Sequence, residues 1–289
     1  MSDTRGEWQV ARRRKGASKS LKSLRVSPTC CQTPLDVGKT IKRIKETVAE
    51  LKCEEVWKEW KDQILPSLNH KNIKDSAEIF HESLDDKISP FQCVCYGLGT
   101  FSSCVSARYQ LAMMLLLLDA GKILLKDCFV FDPAFSPGEK DVLRALGLTV
   151  LTENEEGKRL ATKPTLFYLM HCGKALYNNL LWKNWSAQCL PLLMIIGNSF
   201  SSMRERMLEK EFQRDYRYIS LAVTVCEDRP LTCPSRLLDV FGDTALVTFK
   251  SSALIGLPQS TWTETPEPLY QHCPDLEIIQ NEPIKTTDS

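Results

Sequence analysis

No stretch of this sequence is apolar for long enough to cross a bilayer. The longest candidate, residues 111–118 (LAMMLLLL), falls far short of the roughly 20 residues a membrane helix needs. The opening residues, MSDTRGEWQVARRRKG, hold no apolar core of the kind a secretory signal carries. Net charge is missing too. Lys and Arg number 37 against 36 Asp and Glu, a balance of +1, so no global field draws the chain to nucleic acid or to a membrane surface. Cys-x-x-Cys pairs, HExxH, a GxSxG elbow and the protein-kinase set are all absent. The four histidines are far apart in sequence, which leaves metal-hydrolase chemistry without support. These absences exclude secretion and membrane insertion as expectations, and they make any electrostatic function local.

What the chain does have is core. At 289 residues and 43% hydrophobic content, it has room for one large domain or two small ones. Several of the 12 cysteines (Cys93, Cys95, Cys128) sit in apolar runs, where a thiol behaves as a small hydrophobe. A reducing cytosol or nucleus suits such cysteine use.

Residues 1–34 read as a disordered basic arm, with Arg12, Arg13, Arg14, Lys15, Lys19, Lys22 and Arg25 crowded among Ser and Thr. Residues 35–88 read as an N-terminal helical segment. There Val37, Ile41, Ile44, Val48 and Leu51 line one helix face, and a single helix is predicted to run on to Leu65 and stop before Pro66. Trp57 and Trp60 are expected to pack against the main domain. The VGKT stretch copies the tail of a phosphate-binding loop, but Thr33 stands where its first glycine belongs and no strand precedes it.

Residues 89–256 alternate strand and helix in the rhythm of a parallel sheet: FQCVCY, a helix over 103–120, CFVFD, a helix over 139–146, LTVL, TLFYLM, KALYNNLLWKNW and LPLLMIIG. A charged helix, MRERMLEKEF, is predicted next, and then two further strands, YISLAVTV and TALVTF. The fold class predicted is α/β: a Rossmann-like, mostly parallel sheet flanked by helices, with the N-terminal helical extension and disordered termini. Residues 257–289, rich in Pro, Thr and Glu, read as a disordered tail.

In such a sheet ligands lie at the carboxyl ends of the strands, so the residues just after each strand are the candidates. Gly97 and Gly99 follow the first strand, with Thr100, Ser102 and Ser103 at the helix start, where amide groups can hold an anion. The pattern is GxGxxS, not GxGxxG. The same glycines also suit a tight turn, with Ser102 or Ser103 capping the helix. Asp132 follows the second strand, where a dinucleotide site places an acid for ribose; Asp-Pro is equally a turn signal. NEEGKR, after the third strand, has the composition of a solvated turn. His171 and Cys172 follow the fourth and are the candidate catalytic pair, although neighbouring side chains on an extended backbone diverge and a dyad would need partners from other loops. Asn198, in GNS, follows the fifth. Cofactor-binding candidates are therefore Gly97, Gly99, Ser102, Asp132 and Asn198, and the expected ligand is a nucleotide-containing molecule or haem.

Taken together, VCYGLGTFSSCVSARYQLAMMLLLL, VFDPAFSPGEKDVLRALGLTVLTENEEGKR, TLFYLMHCGKALYNNLLWKNW and IIGNSF resemble the sensitivity-to-red-light-reduced family over about residues 91–200. Met170 stands where family members carry proline before His-Cys, and Gly242-Asp243 replaces their Asn-Asp. The resemblance implies a regulatory protein, mainly cytoplasmic with nuclear entry open, acting with protein partners in the control of haem synthesis and clock-gene expression. It supplies no catalytic residue. In its light Cys233-Pro234 and His272-Cys273-Pro274 gain a second reading as haem ligands, since a proline can turn the chain away and leave the sulfur accessible. The alternative is a nucleotide- or S-adenosylmethionine-dependent enzyme; a nucleic-acid partner for the basic arm is disfavoured.

Overall fold

The computed structural model describes residues 34–68, 91–263 and 265–270, together with Cys273 and Ile278. The basic arm, residues 69–88 of the helical segment, His272 and most of the tail beyond it lie outside the described residues.

Two helices open the structure, α1 (Val37–Cys53) and α2 (Glu55–Leu68). Asp36 caps α1 by accepting from Lys39 N at 2.9 Å, so the VGKT stretch is simply its first turn. The single helix predicted over this region is broken at Glu54, which adopts an extended ψ of 148° while its N–H closes back on Leu51 O. Pro66 lies inside the last turn of α2 and does not end it. A proline there adds one unpaired carbonyl to a helix end that already exposes several. Trp60 is fully buried: its indole N–H donates to Thr232 O at 2.8 Å and its ring meets Phe241 at 5.1 Å.

The sheet has seven strands: β1 (Gln92–Tyr96), β2 (Cys128–Phe131), β3 (Thr149–Val150), β4 (Thr165–Leu169), β5 (Leu193–Asn198), β6 (Cys226–Pro230) and β7 (Thr244–Phe249). Between the first five run α3 (Val105–Ala120), α4 (Pro137–Ala145) and α5 (Lys174–Lys183). The sheet order is 3-2-1-4-5-7-6. The first five strands are mutually parallel, β7 lies antiparallel to β5, and β6 lies antiparallel to β7. The predicted mixed α/β sheet flanked by helices is present.

Strand residues alternate between two cores. Cys93 and Cys95 pack with α1, α2, α3 and α4 on one face, whereas Val94 and Tyr96 pack with α5 and the elements after β5 on the other. That double burial explains why β1 and β4 read as unbroken apolar runs.

Four predictions fail after β5 for physical reasons. The expected charged helix is split into α6 (Phe200–Glu205) and α7 (Glu209–Asp215). YISLAVTV, predicted as a strand, instead begins within α8 (Arg217–Ala222), because the side-chain oxygen of Asn178 accepts from Tyr218 N at 2.9 Å and Ile219 N at 3.3 Å and so holds the start of a helix. Tertiary capping overrides β propensity here. The sixth strand is the polar CEDRP, unmarked by hydrophobic pattern because it is a half-exposed edge ending in proline. After α9 (Leu238–Phe241), β7 and α10 (Ser251–Ile255), the predicted unstructured tail begins with α11 (Ser260–Thr263) and stays packed through Tyr270. Trp182 and Trp185 donate to Thr265 O and Thr261 O, and Tyr218 donates to Pro266 O.

Three buried asparagines hold these loops. Asn184 accepts from Ala161 N and donates to Arg159 O and Leu180 O; Asn179 donates to Glu156 O; and Asn178 reaches Tyr270 OH at 3.1 Å. The distinctive NNLLWKN block is therefore structural. Tyr270→Phe removes a buried hydroxyl that also bonds Asn179 Oδ1 at 2.7 Å. It is expected to lower the unfolding free energy by about 1–3 kcal/mol in urea titration, since polar partners are left buried and unmatched.

Candidate functional site

β1 and β4 are neighbours, yet β1 leads to α3 on one face and β4 leads to α5 on the other. The strand order reverses between them. A crevice at this switch point, outside the carboxyl ends, is where open α/β sheets bind ligands. The loop after β1 turns through Gly97 at φ 67° and Gly99 at φ 76°, the left-handed region that glycine enters without strain. A Cβ on Gly97 would lie 2.5 Å from Cys172 Sγ, so the two loops touch across the switch. At Gly99 a Cβ would meet only Ala107, at 3.8 Å, and that face is open.

The amides of this turn are already engaged. Asp132 Oδ2 accepts Gly99 N–H at 2.7 Å while Oδ1 accepts Ala134 N–H at 2.7 Å, and the residue is 7% exposed. Glu139, fully buried on α4, accepts from Ser102 through both N (3.0 Å) and Oγ (2.8 Å), and from Ser136 through both N (3.0 Å) and Oγ (3.0 Å). Ser136 in turn accepts from Glu139 N, completing a capping box. Burial opposes the Glu139 carboxylate, but the Ser102 and Ser136 donors outweigh it and hold its pKa below the ordinary value. The anions seated on this GxGxxS turn belong to the chain itself.

The other candidates share the edge. His171 is exposed, with a left-handed φ of 52°. Its Nε2 lies 3.2 Å from Gly242 O and its Nδ1 lies 3.4 Å from Gln110 Nε2, contacts that place the proton on Nε2. Gln110 also donates to Val240 O at 2.9 Å. Cys172 Sγ donates to Tyr96 O at 3.3 Å. Asn198 is tied to Tyr177, whose hydroxyl accepts from Asn198 N at 2.9 Å and shares its proton between Leu169 O and Asn198 Oδ1. Gly197 is required beside them, because a Cβ would fall 2.5 Å from that hydroxyl. Of the positive-φ residues other than glycine, Glu156, His171 and Asp243 all sit on loops at this edge.

NEEGKR is engaged as well. Tyr96 OH donates to Glu155, Arg159 pairs with Glu155 at 2.9 Å, and the Arg159 guanidinium lies 4.6 Å from the Phe129 ring centroid. Burial first, then the Glu155 carboxylate, pushes the Tyr96 hydroxyl far above its usual range, so it stays a donor. Lys158 bridges Glu156 and Glu267.

Gly97, Gly99, Ser102, Asp132, His171, Cys172 and Asn198 thus gather along one rim. Cys233 and Cys273 do not join them and pack against opposite cores. Burial also raises the Cys233 thiol pKa. Among the described residues no group of three or more His, Cys, Asp or Glu could hold a metal ion. Sequence reasoning missed Glu139, Gln110 and Tyr177. The Ser136-x-x-Glu139 spacing was the visible signal for the first; the other two are brought in from helix faces with no local mark.

The class of protein is set by a mostly parallel, helix-flanked α/β sheet with its loops converging at a switch point. The sequence matches the SRR1 domain over residues 69–271, and the chain belongs to that family. It is similar to an SRR1-like protein of Mus musculus, 55% identical over 140 residues that cover 48% of this chain and 56% of the mouse protein. An SRR1-like protein of Drosophila melanogaster is 32% identical over 215 residues, 74% of this chain and 73% of its own. The Arabidopsis thaliana protein SENSITIVITY TO RED LIGHT REDUCED 1 is 40% identical over 116 residues, 40% of this chain and 42% of the plant protein. The matched region spans little more than half of the mouse relative and less than half of the plant one. No solved structure matches.

Glu139→Gln supplies a pH test. A lowered folded pKa means that the carboxylate's stabilisation is complete above its unfolded value near 4.5 and is lost as pH falls through the folded value. The stability gap between wild type and Glu139→Gln, measured by urea unfolding, should be widest near pH 7 and shrink below about pH 4.5.

Proposed function

We propose that the chain is a cytoplasmic regulatory protein, acting in the control of haem synthesis and clock-gene expression, and that it responds to a small molecule bound at the carboxyl edge between β1 and β4. Membership of the family that includes the Arabidopsis protein named for reduced sensitivity to red light supports a regulatory role. The ligand reading is supported by an open glycine face at Gly99 beside the buried carboxylate of Asp132, at the switch point of the sheet. All cysteines among the described residues are free, in keeping with a reducing compartment. No helix among the described residues is long and apolar enough to cross a membrane.

In this proposal haem enters as the product whose synthesis is controlled. Joint ligation by Cys233 and Cys273 is disfavoured because the two thiols lie against opposite cores, and for Cys233 burial raises the thiol pKa, which opposes the thiolate that haem iron takes.

A thermal-shift screen of the full chain against adenine nucleotides, S-adenosylmethionine and ferric haem tests the proposal, since a ligand that prefers the folded state raises the melting temperature. At least one compound is expected to shift wild type but not Gly99→Val, whose side chain both fills the open face and strains the left-handed turn, while Cys233→Ala leaves the shift in place. A shift that survives Gly99→Val, or no shift with any compound, counts against ligand sensing at this edge.

A further inference from the structure

We infer that the crevice between the loops after β1 and β4 takes an adenosyl sulfonium, the chemistry of S-adenosylmethionine, and not a phosphate-bearing nucleotide. This rests on the proposal that the edge binds a small ligand, and it names the ligand's class.

The sheet is the first observation. The doubly wound order 3-2-1-4-5-7-6, with the seventh strand reversed, puts the reversal of strand order between β1 and β4, and ligands of such sheets lie outside the carboxyl ends at that reversal. Architecture alone does not assign a ligand.

Charge is the second observation, and it separates the ligand classes. A glycine turn that binds a nucleotide presents its amides to phosphate. Here Gly99 N–H faces Asp132, and Ser102 N–H and hydroxyl face Glu139. A diphosphate laid on this turn would find both of those amides taken, with the Asp132 carboxylate beside them. An adenosyl sulfonium brings no phosphate, and its sulfur is positive. The Asp132 carboxylate disfavours phosphate at this turn and favours the positive sulfur.

The third observation is the state of Asp132. It is 7% exposed, and each carboxylate oxygen accepts one backbone N–H. A carboxylate offers about four lone-pair sites, so each oxygen keeps one for a further donor. Two adjacent acceptors of that kind match the paired hydroxyls of a ribose. The open face of Gly99 lies next to them, and the contact of Cys172 with Gly97 joins the two loops that wall the crevice.

Isothermal titration calorimetry of the full chain with S-adenosylmethionine, ATP and NAD tests the inference. S-adenosylmethionine should bind, and ATP and NAD at least about tenfold more weakly, a difference of roughly 1.4 kcal/mol. Asp132→Asn keeps an acceptor for Gly99 but loses the charge, and should weaken S-adenosylmethionine about tenfold or more. Because Asp132 also holds the turn, hydrogen exchange on the wild type supplies a readout free of mutation: S-adenosylmethionine should protect residues 97–102 and 132–134. Tighter binding of ATP or NAD, the absence of S-adenosylmethionine binding, or protection elsewhere in the chain overturns the inference. If another compound protects residues 97–102 while S-adenosylmethionine does not, this inference falls and ligand sensing stands; if no compound protects that edge, both fall.

Discussion

The seating of two carboxylates on one glycine turn governs the rest of the rim. Asp132 and Glu139 arrive from the end of β2 and from the first turn of α4, and between them they hold Gly99 and Ser102 where β1 gives way to α3. Charge-assisted hydrogen bonds to backbone N–H groups are among the stronger polar contacts a fold can make, and buried ones must be made in full. The turn is thereby fixed by the chain itself. Its sign is fixed as well: a site built to receive an anion has already received two from its own chain.

The second organising feature is the alternation of strand residues between two cores. β1 and β4 are buried on both faces, and their connections leave toward opposite sides, which puts the reversal of strand order between them. The asparagines of α5 serve the same end from behind. They bond the backbone of the loop after β3, the start of α8 and the hydroxyl of Tyr270, so that segments with little apolar content of their own are held against the second core. Polar side chains do the positioning here, and the aromatic residues of the tail supply the burial.

Much of this was legible in one dimension. The five parallel strands are short apolar runs separated by helices and turn residues, and burial on both faces leaves no other pattern for them. The rim residues were legible for the same reason, since in a sheet of this kind the first polar residue after each strand falls on one edge. The unread parts share a cause. Tyr218 and Ile219 carry strand propensity but lie in a helix, because Asn178, distant in sequence, caps it. CEDRP pairs at the sheet edge through its backbone, which hydropathy does not report. The tail after Leu257 is polar in composition, yet it is fastened by carbonyl oxygens that accept from Trp182, Trp185 and Tyr218.

The sequence by itself determined the layered α/β class, the succession of the central strands and helices, and which residues reach the carboxyl edge, because those follow from local periodicity and chain direction. Only the tertiary structure decided which groups face one another: Cys172 against Gly97, His171 against Gln110, and above all Asp132 and Glu139 on the glycine turn. Long-range pairing determines whether an amide is free or engaged, and the charge a pocket offers depends on that state. Neither can be read from the spacing of residues along a chain.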